Sequence, residues 1–225
     1  KFALASNKLS TQMKATGEVM SIGRTIEESL LKAVRSLEVG AYRLHLKKFD
    51  DVGTSELLEY IKSGRDDRIF AIAELIRRHT DLGVIANETQ IDMLFLDKIK
   101  NITDEETALK NARFDAEELR CAKRMGFSDR AVSDFWDCTE EEIYNFRAEN
   151  KILPVYKMID TCAAEFDGYI PYFYSSYEEE NESDVSDGKK IIVLGSGPIR
   201  IGQGVEFDYS TVHAVKTIKA SGFEA

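Results

Sequence analysis

Residues 25–38 read "TIEESLLKAVRSLE", a stretch in which apolar side chains recur at helical spacing. They fall on one helix face and are Ile26, Leu30, Ala33, Val34 and Leu37. Thr25 and Glu28 have the spacing of a capping box, in which each side chain accepts a hydrogen bond from the other residue's backbone N–H. The stretch therefore predicts an amphipathic helix that begins just after Thr25.

The helical pattern continues through the middle of the chain. The same spacing predicts three further short helices, at about 55–62, 66–79 and 88–100. The second of them carries an apolar stripe, which consists of Ile69, Ile72, Ala73 and Ile76. From about 25 to 160 the sequence predicts an all-α domain.

Helix starts in this region are predicted from polar pairs three residues apart. The pairs that fit a reciprocal cap are Asn87 with Gln90, Thr103 with Glu106, and Thr139 with Glu142. Phe127 precedes Ser128 and is placed to staple onto Val132, one turn into the next helix. Trp136 is interpreted as a core residue, with an interface anchor as the alternative.

The pattern changes after the helical middle. Residues 167–177 contain Pro171 among aromatic residues, which favours an extended path. Residues 178–188 carry six acidic residues and no basic one, which is typical of a solvated linker. Residues 191–194 then form a short, β-branched apolar run that predicts a buried parallel strand, followed by a Gly-rich turn and a helix. The predicted fold is thus mainly α, ending in the first βα unit of an α/β domain.

Charge and composition exclude several functional classes. The formal net charge is −10, which disfavours nucleic acid as a partner. Residues 115–150 could suggest a helix-turn-helix reader of DNA, but they hold five basic residues against ten acidic ones. No apolar run approaches the roughly 20 residues of a membrane span, and no secretory signal is visible, so a cytoplasmic location is expected.

Cysteine and aromatic residues give no catalytic pattern. Cys121, Cys138 and Cys162 lack C-x-x-C spacing and do not cluster with histidine, so reduced thiols are expected and no metal site is predicted. Cys162 is interpreted as part of an apolar helix face, together with Ile159, Ala163 and Phe166. The aromatic residues of 169–177 have no Lys or Arg near them, which favours packing over stacking on single-stranded nucleic acid.

The Gly-rich turn "GSGPIRIGQG" at residues 195–204 is the one candidate anion site. A dinucleotide fingerprint asks for glycine three positions after Gly197, where Arg200 stands, so this is not a standard NAD-binding turn. An arginine beside exposed backbone amides could still hold an anion.

At this point the sequence resembles the large chain of carbamoyl-phosphate synthase. The stretches that carry the resemblance are "TQMKATGEVMSIGRTIEESLLKAVRSLE" (11–38), "VYKMIDTCAAEFDGYIPYFYSSYEEE" (155–180) and "IIVLGSGPIRIGQGVEFDYSTVHAVKTIKASGFEA" (191–225). The resemblance implies four segments: 1–38, the end of the first (carboxyphosphate) synthetase half; 39–176, a helical oligomerisation domain; 177–188, an acidic linker; and 189–225, the start of the second (carbamoyl phosphate) synthetase half, a Rossmann-like pre-ATP-grasp domain. The chain would then be a central piece of a longer protein.

The resemblance also implies a chemistry for that longer protein. Such large chains are ATP-grasp ligases that make carbamoyl phosphate from bicarbonate, ammonia and two ATP for arginine and pyrimidine biosynthesis. They use Mg²⁺ or Mn²⁺ with K⁺, and a glutamine amidotransferase partner supplies the ammonia. The ATP-binding lobes are not expected within these 225 residues, so the piece itself is expected to hold no cofactor and to be non-catalytic.

An internal passage joins the two halves in proteins of this kind. The resemblance places residues of the Gly-rich loop near its carbamate end, namely Gly195, Gly197, Arg200, Ile201, Gly202, Gln203, Gly204 and Glu206. Gly204, which lacks a Cβ, would leave room for the passage. Met13 and Thr16 are expected on the wall at the other end.

Two functions of different class follow. The first is a connecting region that mediates self-association through the helical domain. The alternative is a small stand-alone nucleotide-binding protein that uses the Gly-rich turn. A single strand with one helix cannot build a sheet, which disfavours the alternative.

Overall fold

The computed structural model describes residues 6–12, 14, 19–37, 39–162, 165–166, 168, 172–195 and 205–225, with the backbone alone for 205–208. The α-helices are α1 (Ile26–Ser36), α2 (Thr54–Lys62), α3 (Arg68–Arg77), α4 (Leu82–Thr89), α5 (Met93–Asn111), α6 (Ala116–Met125), α7 (Asp129–Trp136), α8 (Glu140–Glu149) and α9 (Val205–Ala220). A short 3₁₀-helix, Lys47–Phe49, precedes α2. Two strands, β1 (Val155–Met158) and β2 (Phe173–Ser176), pair antiparallel. The mainly helical fold expected from the sequence is confirmed.

The first helix begins where the sequence predicts, but its capping box is only half formed. Thr25 Oγ1 accepts a hydrogen bond from the Glu28 backbone N–H at 3.2 Å. The Glu28 carboxylate reaches one residue further back, to the Arg24 N–H at 2.7 Å, and its other oxygen pairs with Lys32 at 2.7 Å. Because Glu28 is 2% exposed, its charge is balanced inside the protein and not at the cap.

Two of the predicted helix starts are wrong. Asn87 lies inside α4, and Gln90 ends that helix in the left-handed conformation, with φ +57°. Thr103 and Glu106 lie in the middle of α5. The helix predicted at 88–100 is instead two helices, and α5 begins after Asp92, whose Oδ1 accepts from the Leu94 N–H at 2.8 Å.

The remaining predicted starts are confirmed. Thr139 and Glu142 form both hydrogen bonds of a capping box at the start of α8. Ser128 caps α7 by accepting from the Ala131 N–H at 3.1 Å. Phe127 and Val132, which flank that cap, are both buried in the core, at 2% and 0% exposure.

One hydrophobic core lies between α1 and α8. Its fully buried members include Leu44, Leu57, Ile72, Leu75, Ile85, Leu96, Ile102 and Leu109. Trp136 lies at its α7 side, 1% exposed, and donates from Nε1 to the Leu109 carbonyl at 2.8 Å. Phe114 and Phe146 pack against the indole with ring centroids 5.1 and 5.9 Å away, so the core role predicted for Trp136 is confirmed.

Several charged groups inside the helical body form ion pairs with each other. Arg77 of α3 binds both carboxylate oxygens of Glu106 of α5, at 2.6 and 3.0 Å, and Glu106 is 1% exposed. Asp129 binds Lys123 at 2.8 Å and Arg147 at 2.9 Å, which joins α6, α7 and α8. Buried charges cost much free energy unless they are paired in this way, so these bridges fix which helices lie side by side.

The chain after α8 differs from the helical body. β2 falls within the stretch predicted to be extended, whereas β1 was not predicted. The helix face predicted around Cys162 is wrong, since the described residues there form no helix and Phe166 is 73% exposed. The Asp160 side chain instead accepts from the Cys162 N–H at 2.8 Å, a local bond that competes with helix formation.

The buried strand predicted at residues 191–194 is not formed among the described residues. A single parallel bridge joins Lys190 to Glu224, and Ile192 and Leu194 are 84% and 88% exposed. A strand of this kind is stable only against neighbours on both sides, and here one short segment lies beside it. The helix predicted after the Gly-rich turn is present as α9. All three cysteines are free thiols, as expected.

Candidate interaction surface

Most of the predicted loop and passage residues lie outside the described residues. These are Met13, Thr16, Gly197, Arg200, Ile201, Gly202, Gln203 and Gly204. Glu206 lies in α9 by its backbone, and Gly195 is exposed, with no atom within 4 Å of where a Cβ would stand. Their assignment to a passage stays a prediction.

The described residues include no group of three or more His, Cys, Asp or Glu side chains arranged to hold a metal ion. Among the described helices, none combines the length and apolar composition that crossing a bilayer requires. What this part of the chain does present is surface shape and surface chemistry.

An apolar groove of about 810 Å³ runs along one side of the helical body. α1 contributes Ile26 and Leu30, α3 contributes Ile69, and the α4–α5 connection and the start of α5 contribute Ile91 and Phe95. The apolar face of α1 predicted from the sequence therefore divides in two. Val34 enters the core, Ile26, Leu30 and Ala33 line the open groove, and Leu37 is 50% exposed.

Beside the groove, the first turn of α5 exposes three large apolar side chains in a row. Met93, Leu94 and Phe95 are 42%, 53% and 50% exposed, and we refer to them as the α5 patch. Asp92 is the N-cap of α5, so the patch forms the first turn of that helix. Its side chains therefore lie at the helix end and outside the core. Contiguous exposed apolar surface of this kind marks interaction sites in soluble proteins.

Polar and charged residues border the groove. Glu27 of α1 accepts from Asn101 Nδ2 at 2.8 Å and pairs with Lys98 of α5 at 3.3 Å. Burial alone would raise the pKa of Glu27, but the hydrogen bond from Asn101 and the Lys98 charge hold it below its ordinary value. An apolar centre with a polar border is the usual anatomy of a protein–protein interface.

A second cleft, of about 420 Å³, is lined on one side by Glu178, Glu179 and Glu180 of the acidic segment, which we define as residues 178–182. Its basic wall consists of Arg24, Arg124 and Lys157. Glu178 pairs with Arg24 at 3.1 Å, and Lys157, which is 8% exposed, pairs with Glu182 at 3.1 Å. The predicted acidic linker is exposed to solvent at Glu179 and Glu180, whose side chains are 90% and 88% exposed, although Glu178 and Glu182 bind basic groups.

Backbone contacts also hold the acidic segment along the outer side of β1. The Glu182 N–H donates to the Tyr156 carbonyl at 2.8 Å, and the Tyr156 N–H donates to Asn181 Oδ1 at 2.8 Å. The Met158 N–H donates to Glu182 Oε2 at 2.7 Å, and this bond, followed by the Lys157 contact, lowers the pKa of Glu182. The sequence showed the six acidic residues but not their basic partners, because Arg24, Arg124 and Lys157 lie far from this segment in sequence.

The sequence did not predict the α5 patch. Residues 93–95 fell inside the helix predicted at 88–100, where large apolar side chains are interpreted as core. The usable signal was Asp92, a good N-cap residue directly before three large apolar ones. In a helix that begins at this point, no preceding turn of the same helix covers the side chains of the first turn.

The fold is that of a helical association module followed by the beginning of a second, α/β unit. Residues 18–151 match the family described as carbamoyl-phosphate synthetase large chain, oligomerisation domain, and residues 187–225 match the family described as carbamoyl phosphate synthase preATP-grasp domain. The chain belongs to the carbamoyl-phosphate synthetase large-chain family. The resemblance noted from the sequence is thereby confirmed, and the longer protein of which such domains are part is a ligase. The segment boundaries at 38, 176 and 188 stay predictions.

Proposed function

We propose that this oligomerisation and connecting region joins large chains to one another through the apolar groove and the α5 patch. The observation that carries the proposal is that a protruding apolar turn lies directly beside an apolar groove on one face. Phe95 belongs to both features. The family description of residues 18–151 as an oligomerisation domain supports it.

A two-fold arrangement suits this surface. In a symmetric dimer the same patch meets itself, so a turn that protrudes from one copy can fill the groove of the other, and the reverse. The charged groups at the border, such as Glu27 and Lys98, are already paired within one copy. Burying the apolar residues of this surface would therefore remove apolar area from water without breaking the pair between Glu27 and Lys98.

The test is the molar mass of this chain in solution, by light scattering after size exclusion over a wide concentration range. The natural chain is expected to be a dimer or larger, and Leu94→Ser is expected to shift it to monomer. Leu153→Ser is the matched control, because Leu153 is 54% exposed, as Leu94 is at 53%, but lies outside the patch and groove.

Phe95→Ser gives a second variant of the same surface, with far-UV circular dichroism as the check that the helices persist. A natural chain that is monomeric at every concentration would overturn the proposal. So would equal assembly of Leu94→Ser and Leu153→Ser.

For the longer protein, we extend the proposal to the chemistry that the family implies. It would make carbamoyl phosphate in the cytoplasm from bicarbonate, ammonia and two ATP, for arginine and pyrimidine biosynthesis. ATP and Mg²⁺ or Mn²⁺ with K⁺ would bind in its ATP-grasp lobes, and a glutamine amidotransferase would be its partner. The present 225 residues would carry no catalysis, so ATP, Mg²⁺, bicarbonate and ammonia should yield no ADP above the blank.

The passage assigned to the Gly-rich loop belongs to the same extension. In the intact enzyme, Gly204→Leu is expected to reduce carbamoyl phosphate synthesis more than bicarbonate-dependent ATP hydrolysis, because a side chain at this position would obstruct transfer. A parallel loss of both rates, or no loss of either, would count against a passage at residue 204.

A further inference from the structure

Two half-buried glutamates lie on α5 and α6, helices that pack against each other. Glu105 of α5 and Glu118 of α6 each have a buried Oε1 that accepts no hydrogen bond from the described residues. Neither residue forms an ion pair in the part of the chain that the structure describes. A buried carboxylate with no donor carries a large free-energy cost, which is relieved if the group takes up a proton.

The cations of α5 and α6 make other contacts: Lys110 lies over the Phe135 ring, Lys123 pairs with Asp129, and Arg124 lies 3.8 Å from Glu179. On α5, Lys98 pairs with Glu27 of α1, and Lys100 pairs with Asp104. On α6, Arg120 lies 3.8 Å from Glu117.

The other helices that pack on α5 also direct their charges elsewhere. α3 sends Arg77 to Glu106, and α4 sends Glu88 to Lys62 of α2. On α7, Asp129 binds Lys123 and Arg147, Asp134 accepts from the Tyr42 hydroxyl, and Arg130 lies over the Tyr42 ring. Among the described residues, no ion pair formed by α1, α3, α4 or α7 includes Glu105 or Glu118.

The charge of Glu118 affects Glu105, and the charges of both residues affect the thiol of Cys121. Burial, followed by the charge of Glu118, raises the pKa of Glu105 to about 7. Burial, followed by the charges of Glu105 and Glu118, raises the pKa of Cys121, which outweighs the opposite effect of Arg124. The Cys121 thiol is therefore kept protonated beside the pair.

We propose that Glu105 and Glu118 form a proton-sensitive pair, in which a proton on Glu105 tightens the packing of α6 against α5 by removing the repulsion between the two carboxylates. At pH 6 the Glu105 carboxyl group is protonated and therefore uncharged. Above neutral pH it is ionised and is repelled by the charge of Glu118 on the neighbouring helix. This property is separate from the association surface and does not depend on it.

The direction of the pH effect follows from proton counting. The pKa of Glu105 is about 7 in the folded chain and near its ordinary 4.5 in the unfolded chain. Between these values the folded state binds more protons, so stability falls as pH rises from about 4.5 to about 7. For one full proton the unfolding equilibrium constant grows about tenfold per pH unit.

The experiment compares urea unfolding of the natural chain with that of Glu105→Gln and Glu118→Gln at pH 5, 6, 7 and 8, followed by far-UV circular dichroism. Glu117→Gln is the matched control, because Glu117 and Glu118 both lie in the first turn of α6 and Glu117 is exposed. The control therefore removes the same favourable charge from the helix N-terminus.

Both pair variants are expected to lose stability less steeply with pH than the natural chain and to exceed it at pH 8. Glu117→Gln is expected to keep the natural slope. A second measurement does not depend on the variants: in the natural chain with ¹³C-labelled glutamate, one side-chain carboxyl resonance should titrate with a midpoint near 7. Unchanged slopes in both pair variants, or no glutamate midpoint above about 5.5, would overturn the proposal.

Discussion

α3 and α9 show how differently two helices of this chain are used. α3 buries six of its ten residues, since α2 and α5 lie on either side of it. No described side chain of α9 is buried, and Tyr209 is 63% exposed, although the helix also carries recurring apolar residues. Apolar periodicity gives a helix a face to bury, but packing partners decide whether that face is covered.

The same contrast separates the helical body from the chain after residue 155. The body has one core, paired buried charges and helices held to several neighbours. The described residues of the later part form a two-stranded sheet, the acidic segment and a single bridge at Lys190. Free energy of folding is therefore concentrated before residue 155, and the following predictions test that difference from the largest effect to the smallest.

The largest effect is expected for Trp136→Ala. The substitution removes the indole from a 1% exposed position and leaves the Leu109 carbonyl without its donor. It should lower the free energy of unfolding by about 3–5 kcal/mol, measured by urea unfolding with far-UV circular dichroism. Tyr209→Ala removes a ring of similar kind from exposed α9 and serves as the control. A comparable loss in both variants would break the comparison.

An intermediate effect is expected for Glu106→Gln. Burial works against the charge of Arg77, but Glu106 raises its pKa above the ordinary value, so the two charges support each other. The neutral amide would leave Arg77 with Glu74 at 3.3 Å and the Leu44 carbonyl. We expect a loss of about 2–3 kcal/mol in the same unfolding measurement.

Glu141→Gln is the control for that prediction, because Glu141 is exposed on α8. A Glu106→Gln chain as stable as the control would mean that the buried pair contributes no more than an exposed carboxylate does.

The smallest effect is expected for Ile192→Ser. The side chain is 84% exposed, so its loss should change the free energy of unfolding by less than about 0.5 kcal/mol. A clearly larger loss in this chain would mean that Ile192 is buried in solution, as the sequence pattern had predicted, and the contrast between the two regions would weaken.

Two residue pairs with identical spacing show which features of the helices the sequence could predict and which it could not. Thr139 with Glu142 and Thr103 with Glu106 are the same motif, yet the first caps a helix and the second lies within one. Thr103 Oγ1 donates to the Lys100 carbonyl one turn back, which a helix interior permits. Local spacing predicted that helices exist here, but their ends depend on whether the apolar pattern continues on both sides of the pair.

The interaction surface was harder to predict for a different reason. Leu94 and Leu96 are equally apolar in sequence, but one is 53% exposed and the other is fully buried. Which of the two side chains is exposed depends on how α4 ends at Gln90 and on the direction in which α5 continues from that point. That direction is a tertiary property, so the all-α domain could be predicted while the groove could not.

The docked acidic segment has a mechanical consequence. As a free tether, residues 178–188 could span roughly 36–40 Å when fully extended. With residues 178–182 held on β1 and the basic wall, the remaining residues 183–188 span only about 20–22 Å. The segment that follows residue 188 is therefore tethered by a linker about half as long as the acidic composition suggests. Because ion pairs hold residues 178–182 in place, added salt would weaken these pairs and lengthen the free part of the linker.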